Sequence, residues 1–230
     1  LLLFGLFLWR GSPGLISMGL GTYTALAWDG LLCFTFFLQH SGMVRKSFRS
    51  RLSRVVPTCY HGACYAISSG AVLLVLLVCW QPSHIDLIAL QGASRWAIRS
   101  LFLLSVVGFV WGAHALAEFD PFGLEPVRAR LRESNPRITP LSIKGPYRLV
   151  RHPLYSAMVV AIWACPVLSA DRLLFNFLWT CWIVIGAMLE ERDLVTEFGE
   201  AYRTYQREVP MLVPWRRRCD KSLSVTLWLL

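Results

Sequence analysis

Charge is scarce in this chain. Asp, Glu, Lys and Arg supply 16% of its 230 residues, against 55% hydrophobic. Soluble domains carry roughly a quarter charged residues, so a fully water-exposed globular surface is excluded, and the mean hydropathy of +0.49 agrees. Acids are scarcer than bases, 14 against 23 Lys+Arg, for a net charge of +9. No C-x-x-C pair occurs among the seven cysteines (Cys33, Cys59, Cys64, Cys79, Cys165, Cys181 and Cys219). Their scatter through apolar runs offers neither a metal-ligand pattern nor a disulfide framework, and they read as small core residues. The opening is not expected to be a secretory signal peptide. The chain opens Leu-Leu-Leu-Phe without Met and is polar by Arg10, too soon for a charged region, an apolar region and a cleavage site. We expect this opening to be the remnant of a first span whose beginning is missing.

Apolar runs are abundant. They lie near 1–9, 20–39, 62–79, 96–116, 153–168 and 172–189, several of them close to the ~20 residues that cross a bilayer. The expected fold is all-α: a polytopic integral membrane helical bundle of about 5–6 spans, with a C-terminal helical hairpin and a cytosolic cofactor-binding cap. Asp171-Arg172 is read as the short link of that hairpin. Three regions follow: 1–116, membrane helices on the substrate side; 117–215, a catalytic core with the hairpin and an amphipathic tail; and 216–230, a basic tail.

The cations are one-sided. Five Lys/Arg lie in 41–57, seven in 117–152 and seven beyond Glu190; the other four are Arg10, Arg95, Arg99 and Arg172. In an alternating topology this puts 41–57, 117–152 and the C-terminus in the cytoplasm, with the chain in the inner membrane. The net charge then reflects topology and calls for no nucleic-acid partner, since no basic-aromatic module accompanies it.

The segment GPYRLVRHPLYSAM, residues 145–158, concentrates Arg148, Arg151 and His152 just before an apolar stretch. A helix starting at Pro153 leaves backbone N–H groups without partners, and with its dipole and Arg151 these form an anion site. The return helix delivers Glu190 and Glu191 to the same face. A ligand between the two ends meets an anion-binding side and a carboxylate side, which suits an amino-acid zwitterion, while Tyr147 and Tyr155 offer faces for a purine. An interfacial Arg/Tyr belt with Glu–Arg pairs at a helix end is the plainer alternative.

Gly145-Pro-Tyr-x-x-Val-Arg-His-Pro-x-Tyr155, followed by Glu190-Glu191, Leu194, Phe198-Gly199, Tyr202, Tyr205 and Val209-Pro210, resembles the isoprenylcysteine carboxyl methyltransferase and phospholipid methyltransferase superfamily over about 139–214. Leu38-Gln-His-Ser41 with Met43, Phe119-Asp-x-Phe-Gly-Leu124 and Glu-Glu-Arg-Asp-Leu194 are similar, more narrowly, to bacterial methanethiol S-methyltransferases, near relatives named for nitric oxide and nitrite metabolism. The resemblance implies an S-adenosyl-L-methionine pocket from Tyr147, Arg151, His152, Pro153, Leu154, Tyr155 and Glu191, closed over by Thr139, Pro140, Leu141 and Ser142. Gly186 stands where isoprenylcysteine enzymes place an arginine for the substrate carboxylate, which favours a small neutral or thiol acceptor.

In the N-terminal half, Asp29 is an ionisable group in mid-span and so a functional candidate by default. His40 lies eleven residues on, on nearly the same helix face, and His114 with Glu118 forms an i,i+4 pair at a helix end. Methylation of a thiol needs a base of near-neutral pKa to generate the thiolate, and His40 and His114 are the catalytic candidates. Interhelical hydrogen bonding is the alternative for both. Leu194, Phe198, Tyr202, Tyr205 and Val209, spaced four, four, three and four, read as an amphipathic surface helix, and Arg216–Arg218 as a headgroup anchor. The expected activity is methyl transfer to a small thiol or lipid-soluble acceptor at the bilayer, without a metal. A phospholipid or prenyl-substrate methyltransferase, an NADPH-dependent reductase and a non-catalytic assembly or regulatory protein are the competing readings.

Overall fold

The structure, a computed structural model, describes residues 2–116, 120, 122–132 and 143–215. Among them are eight α-helices and two short strands, so the expected all-α membrane architecture holds. Three helices are long and apolar enough to cross a membrane: Thr58–Cys79, Gly92–Ala115 and Ala170–Glu208. The chain divides into two compact units, one drawn from Leu1–Leu90, Asp120–Arg137 and Cys165–Trp179, the other from Gln91–Phe119, Ile138–Ala164 and Thr180–Leu230.

The first unit contains α1 (Leu2–Arg10), α2 (Thr22–Val44), α3 (Lys46–Leu52), α4 (His61–Cys79), α6 (Glu125–Leu131) and the start of α8 (Ala170–Glu208). Along α2 the buried residues Ala25, Asp29, Leu32, Cys33, Phe36 and Phe37 recur every three or four positions, the spacing of one helix face. Its core is aromatic. Phe175 meets Phe7 edge-on at 4.9 Å, Trp80 edge-on at 5.5 Å and Trp179 stacked at 4.8 Å; such geometries add to the area buried. Strands β1 (Asp86–Ala89) and β2 (Val167–Ser169) pair antiparallel, a pairing with no signature in their short apolar stretches.

Two expectations change here. Asp171-Arg172 is no loop: both residues lie in the first turn of α8 and both are buried. Arg172 donates to the carbonyls of Phe7 and Leu8 at 2.9 and 3.1 Å and lies over the Phe7 ring; the Phe7 carbonyl also accepts the Gly11 amide at 2.9 Å, so Arg172 adds a second donor there and supplies one to Leu8 at the end of α1. Asp171 accepts from Trp80 Nε1, the Ser83 amide and Ser169 Oγ at 3.0, 3.1 and 2.6 Å. The link of the hairpin is 164–169, and its first arm, α7, is the short helix Pro153–Trp163.

The second unit packs α5 (Gly92–Ala115) against α7. A Cβ on Gly112 would lie 3.0 Å from Leu154 Cδ2 and 3.7 Å from Pro153 Cβ, so a small residue is what permits this approach, as between membrane helices generally. The helix α8 breaks at Gly199, where φ 56° and ψ −132° suit glycine alone. The break turns the last helical segment back. Its Tyr202, Tyr205 and Val209 are buried with Ile143, flanked by Tyr147, Leu194, Val195 and Phe198. The amphipathic stripe therefore covers the protein's own core.

Candidate functional site

The site is built from the residues just before α7 and the end of α8's apolar stretch, all in the second unit. A 3-10 turn, Gly145–Arg148, leads through Val150 to His152, the residue preceding α7. Two backbone hydrogen bonds fix this lead-in: the amides of Arg151 and His152 donate to the carbonyls of Pro210 and Met211 at 2.9 and 3.1 Å. Ser156 Oγ adds a third tie, 2.7 Å to the Leu212 carbonyl. The sequence marks Ser156 only as a small residue.

At the centre is Glu191. Its Oε1 accepts from Arg151 Nε at 2.6 Å and His152 Nε2 at 3.2 Å, and its Oε2 from Arg151 Nη2 at 3.1 Å and Gln206 Nε2 at 2.9 Å. A carboxylate offers about four lone-pair positions, and here each has a donor. Because a carboxylate only accepts, His152 Nε2 carries a proton. Arg151 Nη1 also donates to the carbonyls of Gln206 and Val209. Burial alone would raise the Glu191 carboxyl, but the Arg151 guanidinium, Gln206 and His152 outweigh it and hold it below the usual glutamate value.

Glu190 is placed differently. Its side chain is 46% exposed against 11% for Glu191. Tyr155 Oη donates to Glu190 Oε2 at 2.7 Å, and His152 Nδ1 lies 3.9 Å from the same oxygen. The His152 and Tyr155 rings stack at 5.4 Å and 12°. One carboxylate is thus internally saturated, while its neighbour faces outward on an ordered aromatic support. A cleft of about 310 Å³ opens beside Glu191, lined also by Met188, Arg192, Val195 and Gln206.

Several expected residues come together here: Tyr147, Arg151, His152, Pro153, Leu154, Tyr155 and Glu191 share the second unit. Tyr147 accepts from Tyr205 Oη through its carbonyl at 2.5 Å, and burial, reinforced by Glu190, pushes its phenol up to about 12. Pro153 and Leu154 serve packing on Gly112. Thr139, Pro140, Leu141, Ser142 and Glu118 lie outside the described residues, as do Arg216–Arg218. His114 is exposed at the end of α5. His40 belongs to the first unit, with Tyr65 Oη 2.5 Å from its Nε2. In that unit too, Asp29 is fully buried and accepts the Gln81 amide at 2.9 Å. Gln206 was not foreseen, since nothing in its neighbourhood sets it apart from other polar residues of the tail.

The residues present suit a zwitterionic nucleoside cofactor. Glu190 can take an ammonium or hydroxyl donor. On the anion side, Arg148 Nε is buried with no hydrogen-bond partner, a donor available to a carboxylate, near the N-terminus of α7.

The chain matches the family model described as NnrU protein over residues 30–207. It is 39% identical over 225 residues to a methanethiol S-methyltransferase of a Pseudomonas species, covering 95% of this chain and 85% of that one. A methanethiol S-methyltransferase of Mycobacterium tuberculosis is 35% identical over 190 residues, covering 82% and 78%. Nurim of Rattus norvegicus is 27% identical over 179 residues, covering 74% and 68%. No solved structure matches the chain. On the family match and the first two relatives, the chain belongs to the NnrU family and to the family of the methanethiol S-methyltransferases.

Proposed function

We propose that the chain is an S-adenosyl-L-methionine-dependent methyltransferase of the inner membrane, C-terminus in the cytoplasm, that methylates a small thiol, with methanethiol as acceptor and dimethyl sulfide as product. The observation that carries this reading is the presentation of Glu190: a half-exposed carboxylate oriented by Tyr155, on a support locked by the four-donor Glu191. The names of the relatives supply the acceptor, and the cation bias supplies the orientation.

S-adenosyl-L-methionine, when bound, supplies the electrophilic sulfonium methyl. Arg148 and the start of α7 receive its carboxylate, and Glu190 its donor groups. Tyr147 and Tyr155 offer aromatic faces, and Thr139–Ser142 are assigned to cover it. Glu191 works through Arg151 and His152, fixing where both point. With the methyl group supplied by the cofactor, the task of the chain's own residues would be to position the thiol and exclude water. The thiol proton passes to a base, for which His40 and His114 are the candidates.

Calorimetry with S-adenosylhomocysteine on the purified chain, paired with headspace gas analysis of cells fed methanethiol, tests the reading. Binding and dimethyl sulfide are expected, both lost in His152→Ala. Absence of binding would overturn the cofactor assignment. Binding without dimethyl sulfide would remove the thiol alone.

A further inference from the structure

A second cavity, of about 530 Å³, lies wholly in the first unit, away from every residue assigned above. Three chain segments converge on it. Arg49, Ser50 and Ser53 come from α3 and the residue after it, Thr58 and His61 from the start of the Thr58–Cys79 helix, and Pro126 from α6. Gly62 and Gly123 let the last two segments meet closely: a Cβ on Gly62 would lie 2.8 Å from Gly123 Cα.

The chemistry of the lining has one sign. Arg49 supplies a cation and engages no carboxylate among the described residues, where the ion pairs involve other groups. Ser50 and Thr58 supply hydroxyls, while that of Ser53 donates to the Ser50 carbonyl at 2.9 Å. His61 Nε2 is 3.1 Å from the Val56 carbonyl; a carbonyl only accepts, so that nitrogen holds a proton and the ring is fixed. Residues 41–62 contain no Asp or Glu. The nearest acid in sequence, Glu125, precedes Pro126 and opens α6, its amide donating to Asp120 Oδ2 at 2.8 Å.

We propose that this cavity binds a phosphate ester, through the Arg49 guanidinium and the hydroxyls of Ser50 and Thr58. A planar guanidinium beside two hydroxyl donors is a donor set that a phosphoryl group takes. Either an anionic lipid headgroup or a soluble phosphate ester carries that chemistry.

Purified full-length chain in neutral detergent is titrated separately with short-chain phosphatidylglycerol and with inorganic phosphate. Saturable binding is expected, weakened about tenfold in Arg49→Gln and about threefold in Thr58→Val. Arg54→Gln, a neighbouring cation outside the lining, should stay within about twofold. Tighter binding of the lipid identifies a headgroup, and tighter binding of phosphate a soluble ester. S-adenosylhomocysteine binding, unchanged in each variant, certifies folding. No saturable binding of either probe, or equal losses in Arg49→Gln and Arg54→Gln, overturns the proposal.

Discussion

The two units bury charge in opposite ways. In the first, Arg172 spends its donors on the backbone carbonyls of Phe7 and Leu8, and Asp171 accepts from an indole, an amide and a hydroxyl. Each charge is absorbed by groups whose only other role is structural. In the second, Arg151, His152 and Glu191 engage one another beside an open cleft, and Glu190 and Tyr155 extend the cluster outward. The lesson is that a charge in an apolar chain does not by itself mark a site. The identity of its partners separates a staple from a functional centre.

Substitutions probe that contrast. Glu191→Ala should have the largest effect, about 3–5 kcal/mol in detergent unfolding, because it strands the buried Arg151 without its counter-charge. Arg172→Ala should cost about 1–3 kcal/mol by removing the donor to the Leu8 carbonyl and the second donor to Phe7, while any S-adenosylhomocysteine binding of the surviving folded fraction stays unchanged. Equal losses of binding in both variants would erase the distinction between the units. Gly199→Ala should cost about 1–3 kcal/mol through its left-handed backbone. Glu190→Gln should move stability by less than about 1 kcal/mol yet weaken S-adenosylhomocysteine about tenfold; unchanged binding would assign Glu190 to the surface.

Acidity sharpens the same point. Because the folded chain holds the Glu191 carboxyl below its ordinary 4.5, its contribution to stability is complete above that value. It is lost as the pH falls through the lower folded value. Unfolding midpoints followed downward from pH 5 should decline in the wild type and flatten in Glu191→Gln.

What the sequence discloses follows locality. The meeting of Arg151-His152 with Glu190-Glu191 is legible because a short hairpin makes its two ends neighbours. The stripe Leu194, Phe198, Tyr202, Tyr205, Val209 is legible as a stripe, but its destination is not: whether a face covers lipid or protein depends on Ile143 and Tyr147, far off in the chain. Asp171-Arg172 reads as a loop because paired charges between apolar runs look solvated, and only the fold shows Trp80 and the end of α1 waiting for them. Gln206 is invisible for the same reason. A single hydrogen bond across 15 positions leaves no periodic trace.

The glycine break in α8 makes the stretch that follows it a ruler. From Gly199 to Gln206 the helical segment has one workable length, since each residue added or removed would rotate Gln206 by about 100° around the axis. Such an edit would swing the amide off the Glu191 carboxylate and carry Tyr202 and Tyr205 out of their seats together. Homologous chains that keep this chemistry should therefore tolerate substitution between these two positions far better than they tolerate a change in spacing.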